Sequence, residues 1–342
     1  MTPLVIPIFI AHQGCPHRCI FCDQFTISGS AGSGGLSPSR LEVSRIIELW
    51  LDRPGRQRKS GVQVAFYGGS FTGLHRRRQE ELLDAVQPYI REGRVDSVRI
   101  STRPDYIDPA VLSLLREYSV NIVELGIQSL DQEVLELSRR GHTAQQAEEA
   151  ISLLRQKGFT VGAQVMCGLP GDTTAKAMQT AEKVAALTPD FVRIYPALVL
   201  RESGLESMFR RGTYRPLSLF RAVALCSRMK IVFDRHRIRV VRMGLQPSRE
   251  LEEKVVAGPY HPAFGELVLS RHLFKQARKV LRRREPEQKL RLGIAAADES
   301  AFRGRNNGSM KKLAGLGLLN GVELVFDRKQ QRGQLQTVTL SS

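Results

Sequence analysis

Residues 4–22, LVIPIFIAHQGCPHRCIFC, lead from an apolar run directly into three closely spaced cysteines, Cys15, Cys19 and Cys22. Thiols this close together cannot usefully brace a fold by pairing with one another, and an odd number leaves one unpaired. The spacing Cys-x3-Cys-x2-Cys instead supplies three thiolates, enough to hold three irons of a cubane [4Fe–4S] cluster and leave the fourth iron open to another ligand. The loop therefore predicts a metal centre directly after a first strand.

A zinc ion is the alternative occupant of this loop. Structural zinc normally takes four protein ligands, and His12 or His17 could supply the fourth. Cys167 and Cys226 stand alone far downstream, where a cysteine usually serves as a small buried hydrophobe. We therefore expect these two to lie in the core.

The strand before the cysteines is the first of a series of short apolar runs that alternate with amphipathic helical patterns. The runs are 5–11, 62–67, 97–101, 121–127, 160–166, 191–200 and a weaker 239–243. The helical patterns are 38–51, 76–92, 109–118, 144–157, 174–187 and 217–236. Continuous apolar runs of this kind are typical of parallel strands covered on both faces. The series predicts an α/β fold, either a complete or partial (β/α) barrel or a doubly wound open sheet.

Unusual residues follow the strands, on the side where barrel enzymes place their chemistry. Glycine and proline in a single loop would only indicate a turn, but here such loops recur after successive strands. The segments are 14–22, 68–72 (GGSFT), 102–105 (TRPD), 124–129 (ELGIQS), 140–142 (RGH) and 168–172 (GLPGD).

The composition is that of an ordinary globular protein with an excess of positive charge. The chain has 342 residues, 42% of them hydrophobic and 25% charged, and a formal net charge of +17. These values exclude collagen, disordered chains and disulfide-rich miniproteins. No run approaches the ~18–20 apolar residues that a membrane span needs, and we expect a cytoplasmic protein in which thiols stay reduced.

We expect a barrel domain at 1–245, a connector at 246–264 and a small basic α+β domain at 265–342. The last segment holds 16 Lys+Arg against 7 Asp+Glu, about half of the whole charge excess. Its pattern predicts strands at 290–295, 322–326 and 335–340 and helices at 298–302 and 309–316.

The cysteine spacing, with the aromatic Phe21 directly before the last cysteine, resembles the radical S-adenosylmethionine (SAM) superfamily. The resemblance implies a partial (β/α)6-type barrel and a [4Fe–4S] cluster whose open iron chelates SAM. It also implies a one-electron donor such as a flavodoxin or ferredoxin, because reduction cleaves SAM to methionine and a 5′-deoxyadenosyl radical. That radical abstracts a hydrogen atom from the substrate.

The resemblance also implies roles for residues in the first two loops. The segment Gly68, Gly69 and Ser70 matches the one whose backbone binds the SAM amino group, a task that suits residues without side-chain bulk. Phe21, from its place in the motif, is expected near the adenine.

Later positions match the family in part. Gln128 resembles a glutamine that contacts SAM, and Arg140 resembles an arginine that neutralises the SAM carboxylate. Ser101 and Gln164 hold two further positions expected to contact the cofactor, but they depart from the family pattern. Ser101 stands where a glutamate is common, and Gln164 stands where the coproporphyrinogen-oxidase branch has an aspartate for the ribose.

Within the superfamily, residues 4–245 look closest to the radical-SAM half of the Elongator catalytic subunit, a tRNA wobble-uridine modifier. Oxygen-independent coproporphyrinogen oxidase is a more distant resemblance. The segment 265–342 is too short for the acetyltransferase domain of Elongator, so we do not expect acetyl-CoA chemistry from it.

The basic segment carries a turn and helix at 304–313, GRNNGSMKKL, that line up with the phosphate-binding GXXG loop of a KH domain. Asn307 replaces the second glycine, and asparagine tolerates the left-handed backbone such a turn needs. A basic cap with solvated lysines is the alternative. The charge favours an anionic partner such as tRNA, but the few aromatics of the segment, Phe302 and Phe326, suggest no platform for stacking bases.

Three functions follow from these patterns. The leading one is a radical SAM enzyme that modifies RNA, plausibly tRNA. The second is a radical SAM enzyme for a small acidic metabolite, as in the coproporphyrinogen-oxidase branch. The third is a non-catalytic iron–sulfur protein that binds RNA and regulates.

Overall fold

A seven-stranded parallel sheet forms the centre of the first part of the chain. The structure, a computed structural model, describes residues 3–10, 12–16, 18–23, 38–53, 61–285 and 288–340. The strands of this part are β1 (Leu4–Phe9), β2 (Val62–Tyr67), β3 (Ser97–Thr102), β4 (Val120–Gln128), β5 (Thr160–Cys167), β6 (Phe191–Pro196), β7 (Val199–Leu200), β8 (Arg239–Met243) and β9 (Val255–Ala257). Seven of them pair in parallel in the order β1-β2-β3-β4-β5-β6-β8, and β7 pairs antiparallel with β9.

Helices connect these strands and cover the sheet. They are α1 (Arg40–Leu51), α2 (Arg76–Asp84), α3 (Gln87–Arg91), α4 (Pro109–Glu117), α5 (Gln132–Leu137), α6 (Ala144–Gln156), α7 (Thr174–Ala186), α8 (Gly204–Arg210), α9 (Leu219–Arg235) and α10 (Arg249–Lys254). Several of them begin at a side chain that accepts a hydrogen bond from the first turn, as Ser39 does for α1 and Thr143 for α6. Nothing among the described helices is both long and apolar enough to cross a membrane.

The sheet confirms the predicted α/β fold and selects the partial barrel. Each strand pairs in parallel with its neighbour, and apolar side chains such as Ile6, Val64, Ile100 and Val165 are fully buried between sheet and helices. Within the described residues, β1 and β8 are the two ends of the strand order and do not pair with each other. The sheet therefore forms a curled half-barrel whose strands all end on one edge.

The predicted elements differ from the observed ones where short-range chemistry interrupts a period. The pattern at 76–92 divides into α2 and α3, because Pro88 lies in the first turn of a new helix, where its missing N–H costs nothing. The short helices α5, α8 and α10 were not predicted, since six or seven residues are too few to show a helical period. Their capping residues Asp131, Ser203 and Ser248 were the available signal.

Residues 219–231 and 261–342 form a second compact unit. It contains α11 (Phe264–Leu281), β10 (Leu290–Ala295), α12 (Glu299–Arg303), α13 (Gly308–Gly315), β11 (Val322–Asp327) and β12 (Leu335–Thr339). Its sheet has the order β11-β10-β12, with β10 parallel to β11 and antiparallel to β12. Leu273, Ile294 and Phe302 belong to its core. The strands and helices predicted for 290–340 are confirmed to within about two residues.

The limits of this unit differ from the domain limits expected from the sequence. Residues 219–231 of α9 belong to it, although they precede the expected boundary by many positions, and α11 begins inside the expected connector. The sequence could not show this, because the grouping depends on contacts such as that between Phe220 on α9 and Arg271 on α11.

The turn before α13 has the predicted left-handed backbone. The φ angles of Gly304, Asn306 and Asn307 are 69°, 52° and 56°. Asparagine is one of the few residues that adopt this region readily, so the turn keeps its shape without the second glycine. The KH-like function of the turn stays a prediction.

Candidate active site

The cysteine loop begins with a tight turn at the end of β1. His12 and Gly14 both have positive φ, 57° and 68°. A Cβ on Gly14 would lie 2.1 Å from the carbonyl oxygen of Ser70, so only glycine fits at this position. The turn places Cys15 at the edge where the strands end.

The loop after β2 packs against this turn, backbone to backbone. The His12 N–H donates to the Gly68 carbonyl at 2.9 Å, and the Ser70 N–H donates to the Gln13 carbonyl at 2.9 Å. A Cβ on Gly69 would lie 2.5 Å from the Gln13 carbonyl oxygen. The glycines therefore allow two loops to approach closely, a requirement the sequence did not reveal. Their contact with the SAM amino group stays a prediction.

Replacing Gly69 with alanine is expected to destabilise the fold by about 1–3 kcal/mol, because the new methyl group forces two backbone segments apart. Cluster loading should fall as well, since the displaced segment is the cysteine loop. Urea unfolding and iron content after anaerobic reconstitution measure the two effects. The control is Gly315→Ala in α13, where a Cβ meets nothing within 4 Å. If G69A matched this control in both measurements, the close approach would not constrain the loop.

Among the described residues, the three loop cysteines form no disulfide; Cys19 is buried, and Cys15 and Cys22 are half-buried. Burial raises the pKa of the Cys15 thiol, while the positive charge of Arg140 lowers it in part. One Nη of Arg140 lies 3.4 Å from the Cys19 sulfur, in donor geometry. The charge of Arg140 thus offsets part of the effect of burial on Cys15, whose thiolate form is the one that binds metal.

This donor set fits an iron–sulfur cluster, because it combines three uncrosslinked thiols with a buried cation beside the middle one. Among the described residues, no group of three His, Cys, Asp or Glu side chains is gathered around a single metal ion site. Of the alternative zinc ligands, His17 lies outside the described residues, and burial lowers the pKa of His12. The other two cysteines, Cys167 and Cys226, are fully buried, as expected for core residues.

Arg140 links the cysteine loop to β4. Its side chain is 6% exposed, and its other Nη donates to the Gly126 carbonyl at 2.6 Å. A Cβ on Gly126 would lie 2.8 Å from this guanidinium, so the glycine of the ELGIQS segment makes room for it. Within the described residues, the buried Nε of Arg140 has no hydrogen-bond partner. A donor of this kind beside the cysteines suits the predicted role towards a carboxylate ligand, which stays a prediction.

Two further loops complete this buried polar region, and the sequence had marked them only as unusual. Arg103 is 2% exposed, binds both carboxylate oxygens of Asp105 at 2.9 and 2.8 Å, and donates to the Arg140 carbonyl at 2.7 Å. Burial, with the charges of Arg140 and Arg103, lowers the pKa of His142 to about 3. His142 is therefore neutral at physiological pH. The TRPD and RGH motifs were the signals for this cluster.

Gln128 and Gln164, two predicted SAM contacts on neighbouring strands, come together in the structure. The Gln164 side-chain amide donates to the Gln128 side-chain oxygen at 3.3 Å. Gln128 has a φ of 69°, a conformation rare for glutamine, and a register shift between Gly126 and Gln128 interrupts the pairing of β4 with β5. Unusual backbone conformations of this kind cluster at functional sites.

The remaining predicted residues lie nearby with structural contacts of their own. The hydroxyl of Ser70 is hydrogen-bonded to that of Thr102 at 2.9 Å, which ties the β2 loop to the end of β3. Ser101 is half-buried on β3, opposite Glu124 of β4 in the register. Phe21 is half-buried and packs against the apolar cluster that contains Ile20.

A charged cluster that sequence reasoning missed spans four strands of the half-barrel. The Glu124 carboxylate accepts from the Tyr67 hydroxyl at 3.0 Å and from Arg193 at 3.1 Å, and it pairs with Arg99 at 3.4 Å. Both arginines also donate to the Tyr67 hydroxyl, at 3.3 and 3.4 Å. The four side chains come from β2, β3, β4 and β6, so only the sheet brings them together.

The electrostatics of this cluster are dominated by arginine. Burial and the charge of Glu124 raise the pKa of Tyr67 to about 12, so its hydroxyl keeps its proton. Burial lowers the pKa of Arg193, but the Glu124 carboxylate and two tyrosines outweigh it and raise the pKa. Burial and the neighbouring Arg193 lower the pKa of Arg242 on β8. The cluster therefore has more positive than negative charge.

Comparison with known proteins extends these observations. The sequence profile of the radical SAM superfamily matches residues 9–184, and that of the radical SAM C-terminal domain matches residues 189–273. The chain is 27% identical over 302 residues to a tRNA uridine(34) acetyltransferase of Methanocaldococcus jannaschii, covering 77% of this chain and 54% of that protein. It is 32% identical over 264 residues to Elongator complex protein 3 of Homo sapiens, covering 66% of this chain and 48% of that protein.

A solved structure shares the fold. The archaeal Elp3 of Methanocaldococcus infernus, with its N-terminus deleted, superposes with a TM-score of 0.61 at 22% identity, covering 81% of this chain and 63% of that chain. The chain spans about half the length of the tRNA uridine(34) acetyltransferase and of Elongator complex protein 3, at 54% and 48%.

Proposed function

Because this chain belongs to the radical SAM superfamily, we propose that it is an enzyme that uses a [4Fe–4S] cluster, held by Cys15, Cys19 and Cys22, to cleave SAM reductively and modify tRNA. The contact between Arg140 and the Cys19 sulfur carries the proposal, because it joins the predicted cluster ligand to the predicted SAM-carboxylate ligand. When bound, the cluster supplies the electron that breaks the SAM sulfonium bond.

The residues of this chain hold and orient the reactants. The Arg140 guanidinium is fixed by the Gly126 carbonyl and, through its own carbonyl, by Arg103, so it does not have to reorganise when an anion arrives. The buried surroundings of the site, with a neutral His142, exclude water and strengthen each charged contact. The Gln128–Gln164 pair presents amide groups at the same edge of the sheet.

The test of this activity is cleavage of SAM by the full chain. Anaerobically reconstituted protein, reduced with dithionite or with a flavodoxin or ferredoxin, is expected to release 5′-deoxyadenosine from SAM. Deuterium transfer from labelled tRNA into 5′-deoxyadenosine would identify the substrate. An intact cluster without any SAM cleavage would contradict the proposal and favour the non-catalytic, RNA-binding iron–sulfur regulator.

Similarity to proteins named for tRNA uridine(34) modification and for Elongator supports RNA as the partner, as does the formal charge of +17. The acetyltransfer in the name of one relative is not proposed for this chain, which aligns with only about half of that protein, 54%. The cytoplasmic location expected from the reduced cysteines stays a prediction.

Binding of tRNA is expected to weaken steeply with salt, because each phosphate that is neutralised releases counterions. Neutralising only about three phosphates would weaken binding about 40-fold between about 50 and about 200 mM salt. Fluorescence anisotropy with a labelled tRNA transcript and the full chain measures the slope. An affinity that did not change with salt would contradict a charge-driven RNA partner.

A small acidic substrate remains the second candidate, favoured by the excess of arginine in the half-barrel. Arg99 and Arg193 share a single carboxylate, that of Glu124, and the charge of Arg193 also acts on Arg242. Such an excess can bind a carboxylate or a phosphate. Transfer of deuterium into 5′-deoxyadenosine from a labelled acidic metabolite, and not from tRNA, would support this second function.

A further inference from the structure

The second unit carries an exposed aromatic side chain beside a row of cations. Phe220, near the start of α9, is 72% exposed. The Arg271 guanidinium carbon lies 5.2 Å from the centre of the Phe220 ring. Such a pair presents a flat π-face next to a fixed positive charge.

The cations continue along one face of α11. Arg271, Lys275, Arg278 and Arg282 follow one another at steps of four, three and four residues, which places them on the same side of a helix. The core residues Leu273, Ala277 and Leu281 lie on the other side. The helix therefore presents a positive stripe outward from its packed face.

Acidic side chains do not neutralise this stripe. Arg228 on α9 lies close to this stripe. Burial lowers the pKa of Lys275, and the positive charges of Arg271 and Arg228 lower it further. Within the described residues, Arg228, Arg271 and Lys275 form no ion pair. The one acidic residue of α11, Glu266, instead pairs with Arg332. Like charges held together without counterions favour an anionic partner.

An aromatic platform beside unneutralised cations has a specific chemical match. Single-stranded nucleic acid offers a stackable base and a phosphate in each nucleotide, and proteins bind it by combining the two contacts. A duplex offers phosphates but keeps its bases stacked inside. An acidic peptide would satisfy the cations but leave the exposed ring without a flat partner.

We propose that Phe220, Arg228, Arg271, Lys275, Arg278 and Arg282, here called the aromatic–cationic patch, bind a single-stranded segment of the RNA substrate, with one base stacked on Phe220. This proposal rests on the proposed function in naming RNA as the substrate. The expectation that the aromatics of the basic segment offer no stacking platform did not consider Phe220, which precedes that segment by many residues and joins it only in the fold. Phe302, by contrast, is fully buried.

The experiment measures RNA binding by the full chain with a short single-stranded RNA and with a duplex of the same sequence. Phe220→Ala is expected to weaken single-strand binding about 5- to 150-fold and to change duplex binding little. Phe220→Trp should restore it. The double variant Arg271→Glu and Lys275→Glu should weaken binding to both RNAs and reduce the single-strand salt slope by about 1.4, or about 0.7 for each lost phosphate contact.

Two control variants separate this site from others. Leu41→Ala removes another exposed apolar side chain, 82% exposed, and should leave binding unchanged. Lys311→Glu with Lys312→Glu alters the KH-like turn region. If only the variant with Lys311→Glu and Lys312→Glu weakened RNA binding, the assignment of the aromatic–cationic patch as the RNA site would be wrong, and the turn would be that site. A change from dimer to monomer in F220A, with RNA affinity unchanged, would instead make the patch a contact between copies and overturn the proposal.

The outcomes also separate this proposal from the proposed function. If the native chain binds RNA and all patch variants bind it equally well, only the patch is refuted. If the native chain binds neither RNA, the RNA substrate itself is refuted. SAM cleavage without RNA should be the same in F220A and the native chain, because Phe220 lies outside the cysteine site.

Discussion

Replacing Cys19 with serine is expected to abolish both the visible absorbance of the cluster and the release of 5′-deoxyadenosine. Cys19 is the most buried of the three loop thiols and the one that Arg140 contacts. Cys19 is a direct cluster ligand in the proposal. Its removal should therefore lower activity by more than the ~10–100-fold typical of removing a residue that only contacts a metal ligand. Iron and sulfide content after anaerobic reconstitution, together with product formation from SAM, measure the effect.

Cys226→Ala is the matched control for this variant. Cys226 is fully buried, but it lies on α9, far along the chain from the cysteine loop. We expect the control to lose some stability while keeping the cluster spectrum and the cleavage of SAM. If C19S retained the cluster and the activity, or if C226A lost both, the assignment of the three loop cysteines as cluster ligands would be wrong.

Replacing Glu124 with alanine is expected to destabilise the protein by about 3–5 kcal/mol, the usual cost of removing one partner of a buried ion pair. The substitution leaves Arg99 and Arg193 without their counterion. Because these side chains are only 13% and 19% exposed, water cannot fully replace the lost carboxylate. It also removes the acceptor of the Tyr67 hydroxyl. Urea unfolding of the full chain measures the change in free energy.

Two further variants make this result specific. Glu81→Gln removes a carboxylate that pairs with Arg78 at the surface, where it is 44% exposed, and should change stability by at most about 1 kcal/mol. Tyr67→Phe removes a hydroxyl that makes three hydrogen bonds in the cluster but removes no charge, and should cost about 1–3 kcal/mol. A Glu124→Ala variant as stable as E81Q would show that the arginines do not depend on this carboxylate.

Much of the architecture could be predicted from local patterns. The apolar runs at 62–67 and 239–243 have the same limits in the structure, because short runs of β-branched residues bounded by polar loops indicate a strand without reference to other parts of the chain. The turn at Asn307 was predicted for the same reason, since tolerance of positive φ is a property of the residue itself. The cysteine spacing identified the family, which the profile over residues 9–184 confirms.

Part of the site could be predicted only through resemblance. Arg140 was expected at a SAM carboxylate from its motif, whereas its contact with Cys19, 121 positions earlier, required coordinates. The close approach of Gly69 to the Gln13 carbonyl depends on two loops meeting in the fold. The sequence Gly68-Gly69 does not by itself predict this contact. The roles of individual residues towards SAM stay predictions.

The sequence by itself determined the main strands and helices along the chain, the cysteine loop and the surplus of positive charge, because each depends on residues close together along the chain. Only the tertiary structure decided which distant side chains meet. Glu124 meets its two arginines because β3, β4, β5 and β6 pair in that order in one parallel sheet. Phe220 joins the basic stripe because the first part of α9 belongs to the same unit as α11. Such contacts depend on how strands and helices are placed in space, and no local pattern records that placement.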